Sequence, residues 1–190
     1  MHITEFKLAP LEKARYVIPL KISYVQNGKD KTWEAIKSHD SVATLLFHVE
    51  KNAFLLVKQF RPPVYLSNPD HGITYELCAG ILDKDIDPID TAIEEIDEEV
   101  GYCITRDQIQ KVTTFYTNVG ISGAHQMLFY AQIDESMKIH DGGGIHDEEI
   151  ELYYLPIQKA KTFALDDTIP KTPGLMFAFY WFFDTFDKRT

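Results

Sequence analysis

Cysteine is nearly missing from this chain: Cys78 and Cys103 are the only two among 190 residues. They provide neither a disulfide framework nor zinc-finger spacing, so a hydrophobic core must hold the fold, and a reducing cytoplasm is the expected home. Positive charge is also scarce, with 19 Lys and Arg against 29 Asp and Glu and a net charge of −10. A polyanion would be repelled, and no basic patch is concentrated enough to reverse that; no nucleic-acid partner is expected. Long apolar runs are lacking too. Candidate membrane spans are interrupted by charge or too short, and the opening stretch MHITEFKLAPLEKARYVIPL has no continuous apolar segment. No membrane association is expected. What the chain does have is 45% hydrophobic residues, enough at this length for one good core with a small appended element.

Turn chemistry divides the chain. Alternating apolar residues on both sides of Asn27-Gly28 predict a hairpin, and residues 1–40 are expected to form an N-terminal β element. Residues 41–190 form the expected main domain. Apolar, β-branched runs at 41–47 and 53–59 predict a second hairpin; 65–72 reads as a loop, and 73–78 as a single strand. Strands are predicted at 109–116 and 126–133, joined by the Gly120–Gly123 loop, and at 149–155 after the Gly142-Gly143-Gly144 turn. Residues 157–164 read as a short helix and 172–186, rich in aromatics, as a terminal one. Strands mixed with helices on both sides predict an α/β (α+β) architecture, an α/β/α sandwich with a mixed sheet.

The richest segment runs from Gly80 to Tyr102. Asp87 is a natural helix N-cap, Pro88 suits the first helical position, and Gly101 fits the residue past the end. Ile89, Ala92, Ile93, Ile96 and Val100 recur as one apolar stripe. Glu95, Glu98 and Glu99 share an adjoining arc, with Glu94 and Asp97 on the other flank. The like-charged pairs Glu94/Glu98 and Glu95/Glu99 each cost a few tenths of a kcal/mol, roughly, and acids near a helix C-terminus oppose its dipole. A bound divalent cation would reverse both penalties. A solvated acidic face is the usual fate of such a run, but the preceding glycine and the closing Gly101 favour a cation site.

At these residues the chain resembles the Nudix hydrolase family, whose box reads G-x5-E-x7-R-E-U-x-E-E-x-G-U with U a bulky apolar residue. Gly80, Glu95, Ile96, Glu98, Glu99, Gly101 and Tyr102 match it. Ile86 stands where the family has its first glutamate, and Glu94 where it has an arginine thought to brace the helix carboxylates. Gln59-Phe60-Arg61-Pro62, Glu76 to Gly80, the Gly120–Gly123 loop and the Gly142–Gly144 turn extend the resemblance over about residues 31–183. They resemble the nucleoside-diphosphate-sugar branch, UDP-sugar diphosphatases first and ADP-ribose diphosphatases next.

The resemblance implies a metal-dependent hydrolase acting on a small nucleotide sugar, with Mg²⁺, or alternatively Mn²⁺, held by Glu95, Glu98, Glu99 and the Ala79 carbonyl. It implies a loop glutamate as general base, with Glu148 the first choice and Glu149 the second, and counts Glu98 as catalytic besides its place among the metal ligands; a solvated acidic tip competes for the loop. Arg61 is expected to grip a phosphate or form a surface ion pair. Glu76 is expected to contact bound water or sugar or to brace Arg61, and Ser122 to approach substrate or serve an ordinary turn. Phe60, Tyr65 and Trp33 are candidates for stacking on a base, with core packing the commoner use. His39, His125 and His146 read as structural. Relatives in this branch are homodimers with crossing N-terminal strands, and the aromatic terminal helix adds to that expectation. A nucleotide-binding sensor without turnover is the competing function, motivated by Ile86 and Glu94.

Overall fold

A computed structural model describes residues 3–14 and 16–186; the ends of the two expected domains, residues 1–2 and 187–190, lie outside the described residues. Strands β1 (Ile18–Gln26) and β2 (Lys29–Lys37) form the antiparallel hairpin across Asn27-Gly28. Both turn residues have left-handed backbones, φ 53° and 74°, as a two-residue turn of this hand requires. The hairpin is a separate two-stranded sheet. Ile18, Leu20, Ile22 and Tyr24 alternate along one face and all are exposed, with Trp33 paired opposite Ile22.

The main sheet is built on β3 (Ser41–His48) and β4 (Ala53–Phe60). They pair as the expected hairpin only at the closed end, Leu46–His48 against Ala53–Leu55. Beyond it they splay, because β6 (Cys78–Ile81) pairs with the start of β3 and β5 (Ile73–Glu76) with the end of β4. The single strand expected over 73–78 is therefore two, broken at Leu77 so that each half serves a different neighbour. Helix α1 (Pro62–Ser67) runs into the expected loop at 65–72, which also carries a 3-10 turn, Pro69–His71. Pro62 and Pro63 suit a first helical turn, where no N–H partner is needed.

Helix α2 (Pro88–Glu95) continues into a π-helical turn, Ile96–Val100. Strand β7 (Ile109–Tyr116) pairs antiparallel with β8 (His125–Ile133), and β8 runs parallel to the whole of β3. Strand β9 (Glu151–Pro156) pairs antiparallel with β4. Helices α3 (Ala160–Leu165) and α4 (Pro173–Phe186) are the last elements among the described residues.

Alternation on the strands sorts the core into two layers. Ala43, Leu45, Phe54, Leu56, Leu128 and Tyr130 face one way and pack with Ala160, Phe163, Leu175, Phe179 and Phe182 of α3 and α4. Val42, Leu46, Leu55, Val57, Phe129 and Ala131 face the other way, against Ala92, Ile96 and Val100. A mixed sheet between helices is the layered α/β/α arrangement expected. Each large side chain so buried contributes about 1.5–3 kcal/mol. Phe54 stacks on Phe179 with ring centroids 4.8 Å apart. Phe179 and Phe182 are thus absorbed by the chain's own core, and Trp181 and Phe183 pack against it. Of Phe177, Phe179, Trp181, Phe182 and Phe183, the aromatics of the terminal helix expected to seek a partner surface, only Phe177 is substantially exposed, because the sheet supplies the second face that a lone helix lacks.

Candidate active site

Asp87 caps α2 through its side chain, accepting from the Ile89 N–H at 3.0 Å, worth about 1 kcal/mol. The helix thereby starts at a fixed residue, and its far end reaches the corner where β6 leaves the sheet. There the backbone makes room: a Cβ on Gly80 would overlap the Glu95 carboxylate. Glycine is what lets Glu95 lie across β6.

Glu99 is buried, and its Oε2 accepts the Ala79 N–H at 2.9 Å, with the Cys78 thiol as a second donor. Burial pushes its carboxyl up to about 8, against those two hydrogen bonds and helped by the charges of Glu95 and Glu148. Glu95 rises to about 7, first from burial and then from Glu98 and Glu148, while Lys84 opposes the rise. Glu98 is partly exposed and acts on this corner through its charge.

The glycine turn is hung on the same helix end. Gly143 N–H donates to the Glu99 carbonyl at 2.9 Å and Gly144 N–H to the Glu98 carbonyl at 3.1 Å. Gly101 closes the helix in a left-handed conformation, its N–H on the Asp97 carbonyl at 2.9 Å. A helix end leaves its last carbonyls without internal partners, and here the turn supplies them. His140 adds a side-chain bond to Asp97 at 2.8 Å. The loop after the turn holds Glu148, which accepts the Ile145 N–H at 3.1 Å and whose charge acts on Glu95, Glu99 and Arg61. Glu149 is exposed and has no hydrogen bond or ion pair to these groups among the described residues.

Arg61, at the end of β4, meets Glu76 of the neighbouring β5 in a two-pronged ion pair, Nε to Oε1 at 2.7 Å and Nη2 to Oε2 at 2.8 Å. Thr74, two residues before Glu76 and so on the same strand face, donates to Oε1 at 2.5 Å. Burial pushes the Glu76 carboxyl up, but the hydrogen bonds and charge of Arg61 outweigh it and hold the group below its ordinary value. Of the roles expected for Glu76, the structure shows bracing of Arg61. Ser122 sits in a turn gathered on the Asn118 carbonyl and shares a cavity of about 360 Å³ with Ile81, the residue after Gly80. It makes no contact with the carboxylates among the described residues. Trp33 donates its indole N–H to the Gly120 carbonyl at 2.9 Å, a docking role. Phe60 and Tyr65 pack on each other.

Sequence reasoning missed three participants. Thr74 was discoverable from strand alternation with Glu76. Cys78 precedes Ala79, yet only the register of β6 shows it beside Glu99. Lys84 pairs with Glu94 at 2.6 Å; a lone cation in the acidic run between β6 and α2 was its signal.

Among the described residues no three His, Cys, Asp or Glu side chains converge as a closed ligand set, as mutual repulsion of like charges favours. The expected donors nevertheless suit a hard divalent cation: all are oxygens, from three carboxylates and one backbone carbonyl, and Gly80 leaves the cradle that Glu95 fills.

A NUDIX domain profile matches residues 37–175. The chain is 36% identical to a uridine diphosphate glucose pyrophosphatase NUDT14 of Bos taurus over 88% of each chain, and 34% identical to that of Mus musculus over the same shares. It is 34% identical to a GDP-mannose pyrophosphatase of Pectobacterium atrosepticum over 72% of this chain and 69% of that one. Among the described residues no helix is long and apolar enough to cross a membrane.

Proposed function

This chain belongs to the Nudix family, and from that premise we propose that it hydrolyses the pyrophosphate bond of a nucleoside diphosphate sugar, UDP-glucose first, to a nucleoside monophosphate and a sugar 1-phosphate. The observation that carries the reading is the concentration of acids at one corner: Glu95 and Glu99 are raised to about 7 and 8, and Glu148 acts on both. Such a cluster is unfavourable alone and suits a cation-dependent site. Substrate preference follows the two pyrophosphatase groups to which the chain is similar.

Glu95, Glu98 and Glu99, with the Ala79 carbonyl, would hold Mg²⁺, with Mn²⁺ as substitute; when bound, it neutralises phosphate charge and makes water a better nucleophile. Arg61, fixed by Glu76, directs its remaining N–H groups at phosphate oxygens. Glu148 takes one proton from the attacking water. The water oxygen bonds to phosphorus, the bond from that phosphorus to the bridging oxygen breaks, and the bridging oxygen leaves with the other phosphate. The second proton of the water stays on the newly formed phosphate. Glu149 is the alternative base and Ser122 a further substrate contact.

The exposed apolar face of the β1–β2 hairpin supports a homodimer in which a second copy covers it. Free Cys78 and Cys103 support a cytoplasmic setting. The deciding assay measures product release from UDP-glucose, UDP-galactose, GDP-mannose and ADP-ribose with Mg²⁺ and with Mn²⁺. Mg²⁺-dependent release of UMP and glucose 1-phosphate is expected, and full activity in EDTA would refute the mechanism. Binding without turnover would favour the sensor. Light scattering at micromolar concentration should give twice the chain mass; a monomer would count against the dimer.

A further inference from the structure

The two departures from the Nudix box lie at one junction. Ile86 belongs to the connection between β6 and α2, and Glu94 is the penultimate residue of α2. Lys84, on that same connection, reaches Glu94 with Nζ to Oε2 at 2.6 Å. The pair therefore ties the middle of the connection to the last turn of the helix, one residue before Glu95. The ends of the same connection are fixed as well: Gly80 lies under Glu95, and Asp87 caps the helix start. The charge of Lys84 also acts on Glu98 and Glu95. Two cations thus flank the acidic corner, each held by an acid of its own, Arg61 by Glu76 and Lys84 by Glu94.

Building on the hydrolase reading, we propose that Lys84 and Glu94 form a brace of inverted polarity. The cation is supplied by the connection and the anion by the helix, and the pair does the positioning that the box arginine would otherwise do. Glu94 is then a working half of a pair rather than a lost arginine. Writing an arginine into position 94 alone should harm the protein, because it would face Lys84 across the same gap. Lys84 and Glu94 are positioning residues, acting through the seating of Glu95 over Gly80.

The test compares Lys84→Glu, Glu94→Arg, the double variant Lys84→Glu/Glu94→Arg, and the neutral changes Lys84→Met and Glu94→Gln. Both side chains are largely exposed, so all five should fold. Amide exchange of residues 82–87 is read without metal, Mg²⁺ affinity by calorimetry with Mg²⁺ as the sole titrant, and kcat at saturating Mg²⁺. A brace predicts that both charge-reversal singles raise exchange and lower kcat by about threefold or more, that the neutral changes do so less, and that the double variant recovers to within about twofold. A field effect without a brace predicts opposite signs: Lys84→Glu adds negative charge and tightens Mg²⁺, while Glu94→Arg loosens it. Opposite signs, or exchange at 82–87 equal to that of the unchanged protein in both singles, would overturn the proposal. Lack of Mg²⁺ binding by the unchanged protein would instead bring down the hydrolase reading, and the brace's role toward the cation with it.

Discussion

Glu99→Gln isolates the cost of keeping a carboxylate beneath the acidic corner. In the folded chain the Glu99 carboxyl sits at about 8, from an ordinary value of 4.5. Because the folded value is the higher one, the folded protein binds more protons than the unfolded chain throughout that window, and stability falls as pH rises through it. The slope is roughly 1.36 kcal/mol per unit near pH 6 and halves by pH 8, so the loss over that range is about 2.3 kcal/mol, flattening above it. Coupling to Glu95 and water reaching the site reduce this, so the expected loss is about 1–3 kcal/mol. Glutamine keeps an acceptor for Ala79 but cannot titrate. Urea melts in EDTA at pH 6, 7, 8 and 9 should therefore show wild type losing that much more stability than Glu99→Gln. Saturating Mg²⁺ should restore wild type alone, by about 2.7 kcal/mol at a hundredfold excess over Kd. Curves that run parallel to within about 0.5 kcal/mol would refute the assignment of a buried, titrating Glu99.

Three further outcomes follow from the same corner. Gly80→Ala would force Glu95 off β6, since its Cβ would overlap that carboxylate; Mg²⁺ affinity should fall at least tenfold, roughly, with helix content by circular dichroism unchanged. Glu148→Gln should lower kcat by about 10²–10⁴ while Mg²⁺ affinity stays within about twofold, which separates a proton acceptor from a ligand. Arg61→Lys loses the two-pronged bond to Glu76; kcat/KM should drop by about tenfold or more, and a melt should show destabilisation of about 1–3 kcal/mol from the partly orphaned acid.

The elements most visible in the sequence were those in which local chemistry and tertiary demand coincide. Asn27-Gly28 dictated its hairpin, and Asp87, Pro88 and Gly101 bounded the acidic helix, because caps and turns act within a few residues. The break at Leu77 was invisible for the opposite reason: it arises from the splaying of β3 and β4, which no window around residues 73–81 contains. Helix α1 was concealed because the turn residues before Pro69-Asp70 mark 65–72 as a loop, while the prolines that suit its start, Pro62 and Pro63, lie ahead of that segment. At the acidic corner, the nearness of Glu95 and Glu99 was legible through spacing, whereas the partnerships Arg61–Glu76 and Lys84–Glu94 depend on which strand neighbours which and on how the connection to α2 folds back. The aromatic run of α4 read as surplus surface because its sheet partners, Phe54 and Tyr130, lie far away in sequence.

The suspension of Gly143 and Gly144 from the carbonyls of Glu99 and Glu98 joins two parts of the protein that are distant along the chain into one thermodynamic unit. Coupling of that kind is reciprocal. Whatever steadies the carboxylate helix steadies the Glu148 loop by the same factor, and whatever seizes the loop from outside alters cation affinity without touching a ligand. Control of this enzyme could thus enter through a surface loop, with no second pocket required.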